Sequence, residues 1–508
     1  MELGELCKKT LSIFGCESVS ELGGKLYDAV MNGKIVKLTA FCDTVGDLTV
    51  DWLQRIFQYY EADRQEKKQD YTPKSIAELC AELTETGGKT VYDICAGSGA
   101  LTIQKWVRNP DKLFVCEELD EKVIPYLLFN MAVRNMSGYV INRNVLTMEC
   151  YRVYKLHCGE AFSIVEEIKD PPEISADEII SNPPYNIKWD APDPMFADER
   201  FSEVIPPASN ANFAFVLTAL SRLKKDGKCA FVLPNGVLQS DIEKQIRQVL
   251  TDSGRIEKVV LMPDKMFECT SIGTNVMVFG NGNSYIDFYD CREKADQEQR
   301  EQNGQFGGKS HTNRTYYKTV IVLSDELIKT ICNECKDTAG FSVRVSTEDI
   351  KKNKKYSLSP TAYIRFEYQE SVHRSYKDII KNINDIVRLR NSCKLVINET
   401  LAKQMGFDIE TYKESINNSK EVSSNTEAIT GEKMLADDYI SFTKNKNEII
   451  FKSNDKEVLS HLFSFFLARW QQDIHLLNEL ENVYLAELRD ALLPDLMSGK
   501  IDVSGIEI

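Results

Sequence analysis

The segment from about residue 85 to 280 constrains the fold most, because short apolar runs alternate there with stretches of helical periodicity. Strands that are separated by helices pair in parallel, so this alternation predicts an α/β fold with a parallel, doubly wound sheet. In such sheets ligands bind at the carboxyl ends of the strands. The predicted strands are "TVYDIC", "LFVCEEL", "GYVINRN", "EIISNPP", "CAFVLPN", "KVVLMP" and "TNVMVFG".

One predicted strand runs directly into the stretch "SNPPYNIKW", residues 181–189. Pro183 and Pro184 cannot continue a sheet ladder, because each lacks a backbone N–H and has a fixed φ. The strand is therefore predicted to end at Asn182. An amide and the ring of Tyr185 are then held on a stiff backbone at the edge where ligands bind.

A second candidate site is the glycine turn in "VYDICAGSGALTI". Gly97 and Gly99 allow the backbone to approach a ligand closely and to adopt positive φ. The next strand ends in Glu117 and Glu118, about twenty residues further on, where an acid can bind ribose hydroxyls. Only one of the two carboxylates can face the crevice, since strand side chains alternate. No third glycine completes a dinucleotide fingerprint, so the turn predicts a site for a single nucleoside.

Helical patterns surround this region. Residues 1 to about 65 have helical apolar spacing, and in "DYTPKSIAELCAEL" Thr72 and Pro73 are predicted to be the N-cap and first residue of a helix. Residues 291–315 are charged and rich in Gly and Asn, which predicts an exposed loop. A polar stretch near 415–433 is typical of a linker, and the last helix is predicted to end at Pro494.

Composition limits the function classes. The formal net charge is −15 at pH 7, whereas a protein that holds DNA alone usually has a basic surface. The charge therefore argues against autonomous DNA binding but allows DNA that a partner delivers. No apolar run approaches the ~20 residues of a membrane span, and the N-terminus lacks a signal-peptide core. A cytoplasmic protein is expected.

The 14 cysteines are scattered, mostly in apolar surroundings, which is typical of reduced, buried thiols. Cys332 and Cys335 have metal-ligand spacing, but a zinc site would need a second pair or nearby histidines, and none is suitably placed. Two positions on an amphipathic helix are the favoured interpretation, and no metal site is predicted.

In chain order the motifs are "YTP", "DICAGSG", "EELD", "NRNVL", "SNPPY", "VLPNGVL" and "MPDKMFECTSIGTNVMVF". Together they resemble S-adenosylmethionine-dependent amino-methyltransferases of DNA, and more narrowly the modification subunits of type I restriction-modification systems. The resemblance runs from about residue 66 to "YSLSPTAYI" at 356–364. Two departures are that Ala96 and Ala100 flank the Gly-Ser-Gly turn, where the family usually has Cys and Gly, and that Tyr185 replaces the common Phe.

The resemblance implies a division of the chain and a set of site residues. The implied domains are an N-terminal helical domain (1–65), a Rossmann-like methyltransferase domain (66–365), a helical or linker region (366–454) and a C-terminal helix and tail that docks a partner (455–508). The implied residues for S-adenosylmethionine are Tyr71, Thr72, Pro73, Asp93, Ala96, Gly97, Ser98, Gly99, Glu118, Asn144 and Asn182. The implied catalytic residues are Asn182, Pro183, Pro184 and Tyr185, and Tyr185 and Phe267 are implied to stack on the base.

The implied chemistry is methylation of adenine N6. That amine is a poor nucleophile, because its lone pair is conjugated into the ring. If the Asn182 side-chain oxygen and the Pro183 carbonyl accept its two protons, the lone pair is directed toward the sulfonium methyl. The base must be flipped out of the duplex to be reached, and rigid prolines keep the acceptors oriented. A core position for Phe267 is an equal alternative.

The C-terminal helix carries Phe463, Trp470, Leu477 and Tyr484 at seven-residue intervals, a stripe that can dock a partner or pack on its own domain. The resemblance implies a specificity subunit as partner, two copies of this chain per specificity subunit and DNA reached through it, and leaves a nuclease subunit open. The alternatives are a methyltransferase acting on protein glutamine or RNA, and a non-catalytic assembly module.

Overall fold

The protein's structure is a computed structural model that describes residues 3–60, 72–193, 198–267, 272–303, 315–365, 374–405, 440–442, 449–451 and 461–497. The chain divides into two compact units, residues 1–366 and residues 367–508. The part of the chain described here contains no helix that is both long enough and apolar enough to cross a membrane.

Helices make up the N-terminal part and cover the sheet of the first unit. The helices are α1 (Leu3–Phe14), α2 (Leu22–Met31), α3 (Ile35–Val45), α4 (Trp52–Tyr60), α5 (Lys74–Leu83), α6 (Ala100–Arg108), α7 (Ile124–Val133), α8 (Asn212–Leu220), α9 (Lys244–Asp252), α10 (Asp325–Cys332), α11 (Thr347–Lys352), α12 (Tyr376–Met405) and α13 (His461–Met497).

The strands form one large sheet and two small hairpins. They are β1 (Thr90–Asp93), β2 (Leu113–Glu118), β3 (Ser137–Arg143), β4 (Cys150–His157), β5 (Ile164–Ile168), β6 (Ala176–Ser181), β7 (Leu223–Pro234), β8 (Ile256–Leu261), β9 (Thr274–Phe279), β10 (Tyr285–Asp290), β11 (Asp296–Asn303), β12 (Thr315–Val322), β13 (Ser342–Ser346), β14 (Ile440–Phe442) and β15 (Ile449–Phe451). The large sheet has the order β13-β10-β8-β9-β7-β6-β1-β2-β3-β4-β5, and β11-β12 and β14-β15 pair separately.

All seven predicted strands are present, and the α/β class is confirmed. Strands β7, β6, β1, β2 and β3 run parallel to their neighbours in that order, as predicted. The predicted parallel arrangement does not extend to the whole sheet, because β9 lies antiparallel between β7 and β8, and β4 and β5 extend the other edge antiparallel. Short connections favour this, since a parallel crossover needs a dozen or more residues and β3 is separated from β4 by residues 144–149 alone.

Three local predictions need correction. Helix α5 begins at Lys74 with the extended Pro73 as its N-cap, so Thr72 does not cap it; its hydroxyl accepts a hydrogen bond from Asn182 instead. Helix α13 continues through Pro494 to Met497; so close to the end, the proline removes one backbone hydrogen bond without breaking the helix. Helix α10 ends at Cys332, so Cys335 lies beyond it.

The predicted loop 291–315 is also partly wrong. Residues Asp296–Asn303 form β11, which pairs with β12 over its whole length. Strand β11 reads "DQEQREQN" and has no apolar alternation, so the periodicity used for strand prediction could not detect it. Residues 304–314, and the predicted linker at 415–433, lie outside the described residues.

The N-terminal helices pack on the sheet through α7. Phe129 of α7 makes edge-on ring contacts with Phe14 of α1 and Phe41 of α3, with centroids 5.4 and 5.1 Å apart. All three rings are fully buried. The segment between α3 and α4, residues 46–51, lies close to the loop that follows β1, because Asp51 accepts a hydrogen bond from Ser98 of that loop.

In the second unit α12 and α13 pair antiparallel. Arg374, just before α12, forms an ion pair with Glu487 at 2.5 Å, and Arg390 forms one with Glu481. The Tyr376 hydroxyl donates to the Ala491 carbonyl at 3.2 Å. Residues near the start of α12 therefore contact the end of α13, and later residues of α12 contact earlier residues of α13, as in an antiparallel pair.

Candidate active site

A cavity of about 600 Å³ opens at the carboxyl ends of β1, β2, β3 and β6, the edge where the sequence predicted a ligand. The predicted residues that line it are Thr72, Ala96, Gly97, Glu118, Asn144, Asn182, Pro183, Pro184 and Tyr185. Five others, Pro73, Asp93, Ser98, Gly99 and Phe267, do not line it. Tyr71 lies outside the described residues. The structure thus brings the glycine turn and the Asn-Pro-Pro-Tyr segment to one cavity.

The loop between β1 and α6, residues 94–99, forms one end of the cavity. Gly97 and Gly99 have φ of 54° and 101°, and Gly99 is the left-handed N-cap of α6. The Gly97 N–H donates to Glu118 Oε2 at 2.9 Å. Without a Cβ the backbone at Gly97 can face a ligand in a conformation that most residues avoid.

Asp93 supports this loop from behind. Its two carboxylate oxygens accept the Thr102 hydroxyl at 3.0 Å and the Cys95 N–H at 3.3 Å. The side chain is fully buried, and burial raises the pKa of Asp93 to about 7. The structure therefore gives Asp93 contacts that order the start of the loop and of α6.

The two acids at the end of β2 face different ways. Glu118 lines the cavity, and its Oε1 accepts the Asp120 N–H at 2.8 Å; burial raises the pKa of this carboxyl. Glu117 is fully buried away from the cavity, where it pairs with Arg143 at 2.7 Å and Arg222 at 2.5 Å. Of the pair that the sequence left open, Glu118 is the one at the cavity.

The Asn-Pro-Pro-Tyr segment forms the other end of the cavity. The Asn182 Nδ2 donates to the Thr72 hydroxyl at 3.0 Å, and the Tyr185 hydroxyl donates to Asn182 Oδ1 at 2.6 Å. The ring of Tyr185 meets Phe267 edge-on, with centroids 6.4 Å apart at 84°. Phe267 is 4% exposed and packs in the core. The oxygen predicted to accept an adenine proton is therefore already a hydrogen-bond acceptor.

Several residues near the cavity were not predicted. Trp189 lines it and is fixed by its indole N–H, which donates to the Pro207 carbonyl at 3.1 Å. Asp120 and Arg143 also line it, and Phe215 of α8 closes one side. Trp189, Asp120 and Arg143 lie within the motifs "SNPPYNIKW", "EELD" and "NRNVL", whereas no local signal marks Phe215.

Within the residues that the structure describes, no group of three or more His, Cys, Asp or Glu side chains could hold a metal ion. The site described above consists of amide, carboxylate, hydroxyl, backbone and aromatic groups. Its chemistry is that of hydrogen bonding and stacking.

Comparison with known proteins gives a consistent result. The sequence model of the N-6 DNA methylase family matches residues 43–371. The type I restriction enzyme MpnII methylase subunit of Mycoplasma pneumoniae is 26% identical over 350 residues, covering 65% of this chain and 59% of the relative. The HindI methylase subunit of Haemophilus influenzae is 24% identical over 389 residues, covering 74% and 80%.

The chain is also similar to a protein of solved structure. The methyltransferase subunit of the type I restriction-modification system from Streptococcus thermophilus is 22% identical, with a TM-score of 0.49 over 71% of this chain and 80% of that one. The chain spans 54–63% of the length of three of the curated relatives it matches, two of them from Methanocaldococcus jannaschii.

Proposed function

We propose that this chain, which belongs to the N-6 DNA methylase family, methylates the N6 amine of adenine in DNA as the modification subunit of a type I restriction-modification complex. One observation carries the proposal. Asn182 and Tyr185 at the end of β6 line the same cavity as Gly97 and Glu118 at the ends of β1 and β2. A base-binding end and a nucleoside-binding end therefore share one space.

The glycine-loop end fits the nucleoside part of S-adenosylmethionine. A cavity of about 600 Å³ is within the usual size of a small-molecule site. Gly97 would let the backbone contact the ligand, and the Glu118 carboxylate would accept the ribose hydroxyls. Asn144, whose Oδ1 accepts the Leu146 N–H at 3.0 Å, would contact the adenine ring from the end of β3. Bound there, S-adenosylmethionine supplies an electrophilic methyl group on a sulfonium.

The Asn182 end would activate the substrate amine. Asn182 Oδ1 and the Pro183 carbonyl would accept its two protons, which localises the nitrogen lone pair toward the methyl group. The two prolines hold these acceptors in a fixed orientation, and preorganised acceptors need no rearrangement during the reaction. The Tyr185 ring would stack on the adenine, which leaves the duplex to enter the cavity.

The Tyr185 hydroxyl has a specific consequence for this step. It donates to Asn182 Oδ1 at 2.6 Å, so a donor from within the cavity can reach this oxygen. An amide oxygen can accept two hydrogen bonds, and we propose that the incoming amine takes the position of that hydroxyl. Base capture would then exchange one hydrogen bond for another, while the Asn182 amide keeps its bond to Thr72.

Recognition of the DNA sequence is proposed to come from a partner. The net charge of −15 does not favour independent binding to a polyanion. The matched relatives are methylase subunits of type I restriction enzymes, which supports assembly with other subunits. We propose a specificity subunit as the partner, with two copies of this chain to one such subunit. A restriction nuclease subunit is a further candidate partner.

The helix α13 offers a surface for this assembly. Part of this helix already packs within the chain. The Arg374 guanidinium lies over the ring of Tyr484, a residue of the predicted stripe, and Ala491, seven residues further on, is 2% exposed. Leu476 and Val483, also seven residues apart, are 55% and 60% exposed. We propose that this exposed row docks on the specificity subunit, because burying apolar side chains of this size is worth about 1.5–3 kcal/mol each.

The activity is tested with labelled S-adenosylmethionine and plasmid DNA, with and without a specificity subunit. N6-methyladenine should appear in the DNA only when that subunit is present, and nucleoside mass spectrometry identifies the modified base. Asn182→Ala serves as the inactive control. Label in protein or RNA instead of DNA would favour the alternative substrates, and no transfer at all would favour an assembly module.

The docking surface is tested by co-purification. Leu476→Glu combined with Val483→Glu should abolish recovery of the complex while cofactor binding persists. Asn482→Glu is the control, because it adds one glutamate at an exposed position outside the apolar row, and it should leave assembly intact. Full recovery of the double variant in the complex would refute this surface.

A further inference from the structure

Ser98, at the tip of the glycine loop, is held on both sides by buried groups outside the cavity. Its hydroxyl donates to Asp51 Oδ2 at 2.6 Å, and its carbonyl accepts the Asn130 amide at 2.8 Å. The same Asn130 amide nitrogen donates to Asp51 Oδ1 at 2.8 Å. These bonds close a ring of three residues, which are 0%, 7% and 2% exposed for Ser98, Asp51 and Asn130.

Asp51 is itself tied to its surroundings. Its Oδ1 accepts the Gln54 N–H at 2.9 Å, so Asp51 caps α4. The Arg134 guanidinium donates to the carbonyls of Leu48 and Val50, at 2.8 and 2.9 Å. The backbone that carries Asp51 is therefore anchored to α7, the helix that also carries Asn130.

The first turn of α4 is also linked to the other end of the cavity, through Gln54. The Gln54 side chain donates to the Thr72 carbonyl at 3.4 Å, and the Thr72 hydroxyl accepts the Asn182 amide at 3.0 Å. The start of α4 thus contacts a support of the glycine loop and a support of the Asn-Pro-Pro-Tyr segment. It lines no part of the cavity itself.

We propose that Asp51 is a positioning residue for the methyl-donor site: together with Asn130 it holds Ser98, and so fixes the loop between its two left-handed glycines. A loop with glycines on both sides of residue 98 has wide conformational freedom, and ordering it on binding would reduce affinity. The hydrogen-bonded ring of Ser98, Asp51 and Asn130 orders the loop before the ligand binds, so binding does not carry the entropy cost of ordering it. This inference rests on the proposed function, since it takes the cavity as the S-adenosylmethionine site.

The test measures the dissociation constant of S-adenosylmethionine by calorimetry, at a temperature where the melting curve shows each variant folded. Asp51→Asn should weaken binding about ten- to a hundredfold, because it places an amide group where a carboxyl oxygen accepts the buried Ser98 hydroxyl. Asp47→Asn is the matched control. Asp47 lies in the same segment, and its carboxylate accepts from Thr49 of the same turn at 2.8 and 2.7 Å, so its substitution should leave affinity unchanged.

A second variant separates the loop contact from the helix cap. Ser98→Ala removes the hydroxyl but leaves Asp51 as the cap of α4, and it should weaken binding by a similar factor. Both substitutions break the same hydrogen bond. The double variant should therefore bind S-adenosylmethionine only slightly more weakly than whichever single variant has the lower affinity. If Asp51→Asn does not fold, Ser98→Ala alone decides.

The outcomes are distinguishable. If wild type and Asp47→Asn bind S-adenosylmethionine and both loop variants bind equally well, the positioning role is wrong while the cofactor assignment stands. A lower melting temperature with unchanged affinity, or losses that add fully in the double variant, also overturns it. If wild type does not bind the cofactor, the proposed function fails first.

Discussion

The two ends of the cavity are built in different ways. At the glycine-loop end, Asp93, Asp51 and Asn130 hold the loop from outside the cavity. At the Asn182 end, the side chains that line the cavity hydrogen-bond to one another, Tyr185 to Asn182 and Asn182 to Thr72. The outside supports of the first end leave its cavity side to a ligand, whereas a base that enters the second end is proposed to take the place of the Tyr185 hydroxyl at Asn182 Oδ1. We infer that the first end is preformed for the methyl donor, whereas the second end rearranges when a base enters.

The largest effect of a substitution should be on the methyl-transfer rate, at the Asn182 end of the cavity. Asn182→Ala should lower the methyl-transfer rate roughly 10²–10³-fold, the usual loss for one oriented polar contact at a reacting group, with cofactor affinity near normal. Single-turnover kinetics and calorimetry measure the two quantities. Asn182→Asp, which keeps an acceptor oxygen, should retain more activity than Ala. Near-wild-type turnover by Asn182→Ala would contradict the proposed activation of the adenine amine by Asn182.

The glycine loop should respond in the opposite manner, with affinity lost. Gly97→Val places a branched residue at φ 54° and blocks close approach of a ligand. The free loop would relieve this strain by leaving the conformation that binds the ligand, which corresponds to about tenfold to a hundredfold weaker cofactor binding, and the block should make binding undetectable. Gly87→Val is the matched control, since Gly87 has φ 73° and open space around its Cβ position. It should lower the melting temperature but not the affinity.

Glu118 tests whether the acid at the cavity contributes beyond the loop itself. Glu118→Ala should weaken S-adenosylmethionine binding about tenfold, the scale of a hydrogen bond to a charged group. Glu118→Gln should lose less, because its amide oxygen can still accept the Gly97 N–H. Calorimetry on both variants ranks them. Unchanged affinity in Glu118→Ala would remove this residue from the ribose site.

The smallest effect concerns the hydroxyl whose place a base is proposed to take. Tyr185→Phe keeps the ring for stacking and frees Asn182 Oδ1 from its internal donor. Capture of the target adenine should become about two- to tenfold tighter, in line with the net value of one hydrogen bond, with unchanged cofactor affinity. Fluorescence titration with a 2-aminopurine duplex reports base flipping. A clear loss of activity would show that the hydroxyl assists the reaction.

Much of the fold followed from apolar periodicity, because the parallel strands are buried on both faces and appear as continuous apolar runs. The exceptions have local causes. Strand β11 is polar throughout, and the antiparallel position of β9 depends on a chain return that periodicity does not encode. The pairing partner and direction of such strands depend on contacts across the assembled sheet, which a local apolar pattern does not contain.

For the candidate site, the sequence identified residues of a type that is uncommon at the end of a strand, such as the two prolines before Tyr185 and the glycines of the loop. It left Glu117 and Glu118 unresolved, because alternation predicts two faces but not which one is the crevice. It missed Asp51, which looks like an ordinary helix cap. Its contact with Ser98 spans 47 positions in the chain, and no local pattern encodes a contact of that range.

The acid on the hidden face of β2 has an evolutionary consequence. Glu117 is fully buried and joins Arg143 on β3 to Arg222, just before β7. Removing one partner of such a buried group leaves an uncompensated charge, which costs about 3–5 kcal/mol, whereas replacing all of them by apolar residues can be neutral. Single substitutions at these positions should therefore be purged. Among diverging descendants of this chain, positions 117, 143 and 222 should change together, as one inherited unit.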